Sequence, residues 1–460
     1  MFSTVADESQ KRRFRDSAVV KMAAIGGLIV MLLIPLGMVS SLVSERQSRR
    51  QQMAKEVSDS WGRPQVLAGP VLTVPYLVYT RNEKGVVTDT STCFARFLPE
   101  TLKIEGNVDT ERRNRGIFEV AVYRTALHWT GTFQRPSFED WHVPPQDVLW
   151  RDAYLAIGVP DMRGITSGVS LAWGRRTLQL APGGGEPELW QSGLKVPVPD
   201  LAEGKPGDLY AFGFDLGVNG SDALSFLPFG KETSVALKSN WPSPSFNGEF
   251  LPAQRAVRGT GFEALWHVSW FGRSYPQQWR ESEAKELAPA ATLEASAFGL
   301  QLFQPVDAYQ KTERSVKYGV LFLVLTFLTF FLYEQFNPFS LHPVQYLLVG
   351  FALCLFYLLL LSISEHSPFG FAYLVASVAT VLLIGGYSVA VLRGALRAFL
   401  MTVVLGTLYG YLYVLLQLED YALLLGSIGL FLILALVMYL TRRIDWSAPR
   451  RAKGEAVAVA

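Results

Sequence analysis

The residue types best suited to chemistry fall in two short segments, Glu139-Asp140-Trp141-His142 and Glu365-His366. The first sets two carboxylates beside an imidazole, the groups used for general acid–base work or for holding a metal ion. Acidic and aromatic residues ahead of Pro144-Pro145 are also the composition of a surface loop, and that is the expectation here. Glu365-His366 is a candidate polar site at a membrane surface, although a solvated interfacial turn needs the same two residues. The remaining histidines, His128, His267 and His342, come with no HExxH, GxSxG, phosphate-loop or CxxC spacing. His342 and His366 flank one apolar run, so they fall on opposite faces of a membrane and cannot share a metal. No catalytic residue, metal site or cofactor is expected. Cys93 lies in a polar region and Cys354 in an apolar run, so both are read as small buried hydrophobes and not as a disulfide.

The elements that carry these residues follow from composition. The chain has 460 residues, 50% of them hydrophobic, with a formal net charge of +2. Its mean hydropathy of +0.21 is high for a water-soluble chain. Near-neutral charge argues against a nucleic-acid partner, which needs concentrated positive charge. Met22 to Val43 is apolar over the ~20 residues a helix needs to cross a bilayer, and Pro35 is expected to kink it. Its length and the lack of an Ala-x-Ala site favour an uncleaved anchor over a signal peptide. Five more apolar runs follow late in the chain: Tyr318 to Tyr333, Val344 to Ile363, Phe369 to Leu392, Ala398 to Leu416 and Tyr421 to Leu440. Val344 to Ile363 alone holds thirteen Leu, Ile, Val or Phe residues and no charge, so its insertion is favourable by several kcal/mol. Gly406 and Gly410 form a GxxxG, a spacing that permits close helix packing.

Between the anchor and these runs no segment is apolar enough to cross. Ser44 to Ser60 is charged and helix-prone and reads as a stalk. Val71 to Tyr79, Thr92 to Leu98, Gly116 to Tyr123, Leu127 to Phe133, Leu209 to Val218 and Gly261 to Phe271 are short, rich in β-branched and aromatic residues, and read as strands. Glu83-Lys84-Gly85 reads as a hairpin turn, and Pro144-Pro145, Gly183-Gly184-Gly185 and Pro197 to Pro199 as loops. The expected fold is a polytopic α-helical membrane protein with a large, β-rich, sandwich-like extracytoplasmic domain. Its parts are a cytoplasmic N-terminus (1–21), an anchor (22–43), the β-rich domain (44–316), a five-helix bundle (317–441) and a cytoplasmic tail (442–460).

Charge in the short loops orients this plan. With the N-terminus inside, Lys11, Arg12, Arg13, Arg15, Lys21, Arg393, Arg397, Arg442, Arg443, Arg450, Arg451 and Lys453 all lie on the cytoplasmic side. The opposite turns hold only Glu365, Glu419 and Asp420. The β-rich domain then faces the periplasm. The later spans carry no Asp, Glu, Lys or Arg near their centres; Glu334 sits at an end. Ion-coupled transport normally needs such groups. Tyr387, Tyr409, Tyr411 and Tyr413 would suit either a polar path or helix packing. Ten of the eleven tryptophans lie in the middle domain and Trp446 follows the last span. Exposed Trp suits a glycan, lipid or protein partner, and a core of large aromatics accounts for the same residues.

Several stretches carry a resemblance. They are Ser239-Asn-Trp-Pro-Ser-Pro-Ser-Phe-Asn-Gly-Glu-Phe-Leu-Pro252, Gly261-Phe262, Ser269-Trp270-Phe271, Leu341-His-Pro-Val-Gln-Tyr-Leu-Leu-Val-Gly350, Phe356-Tyr-Leu-Leu-Leu-Leu361, Ser364-Glu-His366, Ala422-Leu-Leu-Leu-Gly426 and Thr441-Arg-Arg-Ile-Asp-Trp446. Together they resemble the CreD family, inner-membrane proteins linked to cell-envelope integrity and colicin tolerance in Gram-negative bacteria. The segment before residue 18 and the Ala-rich tail after Ser447 look like departures from that family. The resemblance implies an inner-membrane envelope protein with no established enzymatic activity and no catalytic residues to carry over. Within it, Asn240, Trp241, Phe246 and Phe250 are the candidate partner-binding loop; a loop closing one end of a sandwich would use the same residues. Expected partners are membrane lipid and an envelope protein or glycan. The alternative function is a transporter or lipid-handling protein.

Overall fold

The computed structural model describes residues 18–184, 186, 189–287, 289–302, 308–336, 340–392, 394–418 and 421–442. Of the expectations above, Lys11, Arg12, Arg13, Arg15, Gly185, Arg393, Glu419, Asp420, Arg443, Trp446, Arg450, Arg451 and Lys453 lie outside them. The chain forms two compact units, one of Met1–Arg50 with Val306–Ala460, the other of Gln51–Pro305. The sequence places these borders near 44 and 316. The second border moves because residues 308–317 form an amphipathic helix too polar to read as part of a span.

The first helix, α1, is Ala18–Trp61, apolar to Val43 and charged beyond it, with Pro35 inside. Helix α2 (Ala308–Lys317) meets α3 (Gly319–Phe336) at a 44° bend. Then come α4 (Pro343–Ser364), α5 (Phe369–Val391), α6 (Ala395–Gln417) and α7 (Ala422–Thr441). Among the described residues five helices are long and apolar enough to cross a membrane, or six if α2 with α3 counts as one bent span. Small residues set the packing of α1. A Cβ on Gly350 of α4 would lie 2.1 Å from Leu32 Cδ1, so a larger residue there would have to push the Leu32 side chain aside.

Two sheets build the other unit. The eight-stranded sheet runs in the order Gln254–Arg258, Gly261–Ser269, Glu232–Ser239, Thr101–Arg115, Phe118–Gln134, Leu209–Ser221, Ser170–Trp173 and Arg176–Gln179. At its centre Thr101–Arg115 pairs antiparallel with Phe118–Gln134 from Thr101 opposite Thr132 to Arg115 opposite Phe118. The nine-stranded sheet is organised on Gln65–Arg81, which pairs with Val87–Phe97, Tyr154–Gly158 and, in parallel, Ala223–Phe226. Gly183 and Gly184, expected in a loop, belong to its edge strand Ala181–Gly184, because pairing with Ser192–Pro197 supplies the backbone partners that glycine does not forbid.

The inner faces of both sheets meet in one core. Alternation is plain in Thr101–Arg115, where Leu102, Ile104 and Val108 are buried and the residues between them mostly exposed. Aromatic rings bridge the sheets: Trp129 lies 6.1 Å from Phe226, and Trp266 lies 5.6 Å from Phe246 and 6.1 Å from Phe298. Trp129, Trp173, Trp266 and Trp279 are fully buried, so the tryptophan surplus mainly fills a core.

The last turn of α1 is fixed to this unit. Trp61 Nε1 donates to the Tyr123 carbonyl at 3.2 Å, and the Arg113 guanidinium stacks 3.6 Å over the indole. Just beyond, Asp161 accepts from Arg163 Nε and Nη2 at 2.9 Å and from the Arg63 amide at 3.1 Å. These donors, the Arg163 side chain foremost, hold its carboxyl below the ordinary 3.8.

Two measurements check this account. Trp266→Ala should destabilise the β-rich unit by about 3–5 kcal/mol, read from chemical denaturation of the full-length protein. A carboxyl with a depressed folded-state pKa adds stability above its unfolded pKa, and that stability is lost as pH falls through the folded value. Asp161→Asn should therefore lower the unfolding temperature at neutral pH and flatten its fall below about pH 4.

Candidate functional site

The Glu139–Trp141 segment is a single 3-10 turn, with Glu139, Asp140 and His142 all exposed. His142 closes it in a left-handed conformation at φ 54°. Trp141 alone turns inward, packing 5.6 Å from Phe138. This is the surface loop its composition suggested. His128 pairs with Asp215 at 2.7 Å on an exposed sheet face. Among the described residues no cluster of His, Cys, Asp or Glu has the geometry to hold a metal.

The Asn240–Pro252 segment is built into the fold. Asn240 accepts from the Thr110 amide at 2.9 Å and donates back to the Thr110 carbonyl at 3.1 Å. Trp241 is only 4% exposed, and its Nε1 donates to the Ser243 carbonyl at 3.1 Å. Pro244–Gly248 is an edge strand whose Phe246 packs on Phe262 and Trp266. Phe250 lies 6.1 Å from Phe298. The four candidate residues thus position the segment, and none of their aromatic rings is its exposed tip. That role falls to neighbours. Leu251 is 66% exposed and Phe271 85% exposed, with the Trp270 ring tilted against Phe271 at 5.0 Å. A Cβ on Gly272 would lie 3.0 Å from the Phe250 ring, so the segments at 250 and 270 adjoin. They form one apolar corner from two motifs twenty residues apart in the chain.

In the helical unit the structure separates Glu365 from His366. Glu365 caps the C-terminus of α4 and its side chain is only 11% exposed. Arg46 Nε lies 3.6 Å from Glu365 Oε1, and the Tyr309 hydroxyl donates to the same oxygen at 3.1 Å. His366 is exposed, with its Nδ1 3.3 Å from the Ser362 carbonyl. His342 has a local task as well. Its Nδ1 accepts from the Val344 amide at 3.3 Å while Gln345 Oε1 accepts from the His342 amide at 2.9 Å, a capping box for α4.

Sequence reasoning missed the buried charges. Glu334, at the end of a span as the sequence places it, is fully buried and ion-paired to Lys21 of α1. Lys21 also donates to Ser340 Oγ at 2.8 Å, and the Tyr346 hydroxyl donates to Glu334 Oε2 at 3.2 Å. In the β-rich unit Arg96 and Glu186, each 2% exposed, pair at 3.2 Å, and Lys195 reaches the other Glu186 oxygen at 3.2 Å. No local spacing marks these partners, since they lie 90 and 313 positions apart. Two of the tyrosines pack between helices: Tyr409 is buried against Phe322 and Phe356, and the Tyr411 hydroxyl donates to the Leu425 carbonyl at 2.5 Å. Gly406 and Gly410 line an apolar groove of about 590 Å3 between α5 and α6, together with Tyr373, Ser377 and Tyr413.

Breaking the inner ion pair is the direct test of its weight. Lys21→Met leaves a buried carboxylate without its cation, so it should lower the unfolding temperature in detergent more than Lys21→Met combined with Glu334→Gln.

Comparison with known proteins agrees with this architecture. The inner membrane protein CreD of Escherichia coli is 34% identical over 430 residues, which cover 93% of each chain. A crystal structure of an M1 zinc metallopeptidase from Deinococcus radiodurans is 11% identical and aligns with 37% of this chain and 39% of its own. Its TM-score of 0.18 is too low to bear on the fold. The CreD family profile, described as inner membrane protein CreD, matches residues 17–447, and the chain belongs to that family.

Proposed function

We propose that this chain supports cell-envelope integrity as a non-enzymatic inner-membrane protein whose β-rich domain faces the periplasm and binds a partner. The carrying observation is the apolar corner at Leu251, Trp270 and Phe271. Two motifs meet there, their buried members fix the backbone, and Phe271 stands 85% exposed. Large exposed aromatics on a rigid support are what a protein partner uses as anchors. Lys231 lies 5.4 Å over the Trp270 ring, which adds a cation at the rim. The excess of Lys and Arg in the short cytoplasmic loops supports termini inside and the domain outside.

A lipid-handling role is the second reading, favoured by the groove between α5 and α6. Its walls include Leu374, Val378 and Leu382, all exposed, which suits an acyl chain better than an ion.

A photo-crosslinker at position 271 should capture an envelope protein in intact cells, while the same probe at the exposed hairpin residue Ile117 should not. Phe271→Ser with Leu251→Ser should reduce envelope tolerance at unchanged protein level. A lipid adduct at 271, or undiminished tolerance, would refute the protein-docking reading. Protease added to spheroplasts should degrade 51–305; protection of that region would refute the orientation.

A further inference from the structure

The two chain passages between the units leave the helical unit at Arg50 and return to it at Val306. Four residues before the first passage, Arg46 of α1 lies 3.6 Å from Glu365 Oε1. Four residues after Pro305, Tyr309 of α2 donates its hydroxyl to that same oxygen at 3.1 Å. Glu365 itself ends α4 and begins the turn to α5. We infer that Glu365 is a clasp: one carboxylate pins both passages to the α4–α5 turn, so that a displacement of either passage is transmitted to the helices through it.

The chemistry suits a clasp. A carboxylate offers two oxygens and about four lone-pair sites, so it holds a guanidinium and a phenol together. At 11% exposure it is shielded from most competing water. The return passage is held further along α2. Lys311 donates to Gln417 Oε1 at 3.3 Å, and Arg314 Nη2 donates to the Leu418 carbonyl at 3.5 Å, both at the end of α6. Lys311 also lies 5.5 Å over the Phe369 ring at the start of α5. Helix α2 thus lies across the ends of α4, α5 and α6. The only other tie between α1 and a carboxylate described above, Lys21 to Glu334, joins no segment next to a passage. The inference stands whether or not Phe271 meets a partner.

Hydrogen exchange on the full-length protein in lipid nanodiscs tests it. Glu365→Gln should speed amide exchange roughly two- to fivefold in both 42–50 and 308–317, the range for losing a partly exposed ion pair. Exchange in the strand Phe118–Gln134 should not change. Tyr309→Phe should speed exchange in 308–317 alone. The exchanged pair Arg46→Glu with Glu365→Arg should return 42–50 to the wild-type rate. Acceleration in only one passage, or in neither, overturns the clasp, as does failure of the exchanged pair to restore 42–50. If Glu365→Gln also disturbs the core strand, Tyr309→Phe decides, since it removes one hydroxyl: acceleration in 308–317 supports the clasp and an unchanged rate overturns it.

Discussion

A charged group at the edge of hydrocarbon must be paired or reach water, and this constraint organises the helical unit. Helix α1 carries Lys21 and Arg46, twenty-five residues apart. At ~1.5 Å per residue they are separated by roughly 38 Å, close to a bilayer with part of its headgroup layers. Each finds a carboxylate on the later helices, Glu334 for Lys21 and Glu365 for Arg46. Between them Leu32 sits against Gly350, where a larger residue would displace the Leu32 side chain. A charged tie near each end and a close apolar contact between them fix both the depth and the rotation of α1. Neither ion pair alone would do this, because one tie leaves a helix free to pivot.

The spans were legible because a run of some twenty apolar residues has few other fates. Gln65–Arg81, buried without a break from Leu67 to Tyr76, and Gly261–Ser269, with one apolar face, were legible in part from their β-branched and aromatic residues. Thr101–Arg115 was not, because only Leu102, Ile104 and Val108 face the core while its far end, Glu111 to Arg115, is almost wholly polar. Its partner Phe118–Gln134 read as two strands, since Arg124 and Thr125 interrupt the apolar run that the ladder carries through. The candidate loop was found by its motif, yet which of its rings point inward is a tertiary fact. Trp241 and Phe246 are drawn into the core, and the exposed tip passes to Phe271, outside the segment. Glu365 was singled out for the wrong neighbour: adjacency suggested His366, while helical geometry turns the two apart and gives Glu365 to Arg46 and Tyr309.

The β-rich unit shows how much polar chemistry a core accepts when it is satisfied. Arg96 and Glu186 would each be costly alone in the interior; paired, with Lys195 on the second oxygen, they are tolerated. They join the strand Val87–Phe97 to the segment after Ala181–Gly184, at the margin where glycines replace packed side chains. The domain's most exposed aromatic ring, Phe271, stands beside Trp270, while other exposed apolar residues such as Val86, Ile117 and Leu209 lie elsewhere on the domain.

The pairing of Lys21 with Glu334 also bears on how the molecule is made. The two residues are 313 positions apart. At ~5–20 residues per second, ribosomes deliver the carboxylate roughly 16 to 60 s after the lysine. Throughout that interval the first helix is a finished membrane segment with an unmatched cation, which its long aliphatic stem can hold at the lipid headgroups. Biogenesis therefore passes through a lone inserted helix that waits for the rest of the polypeptide, and the last helices, on arriving, close onto a guest already in place.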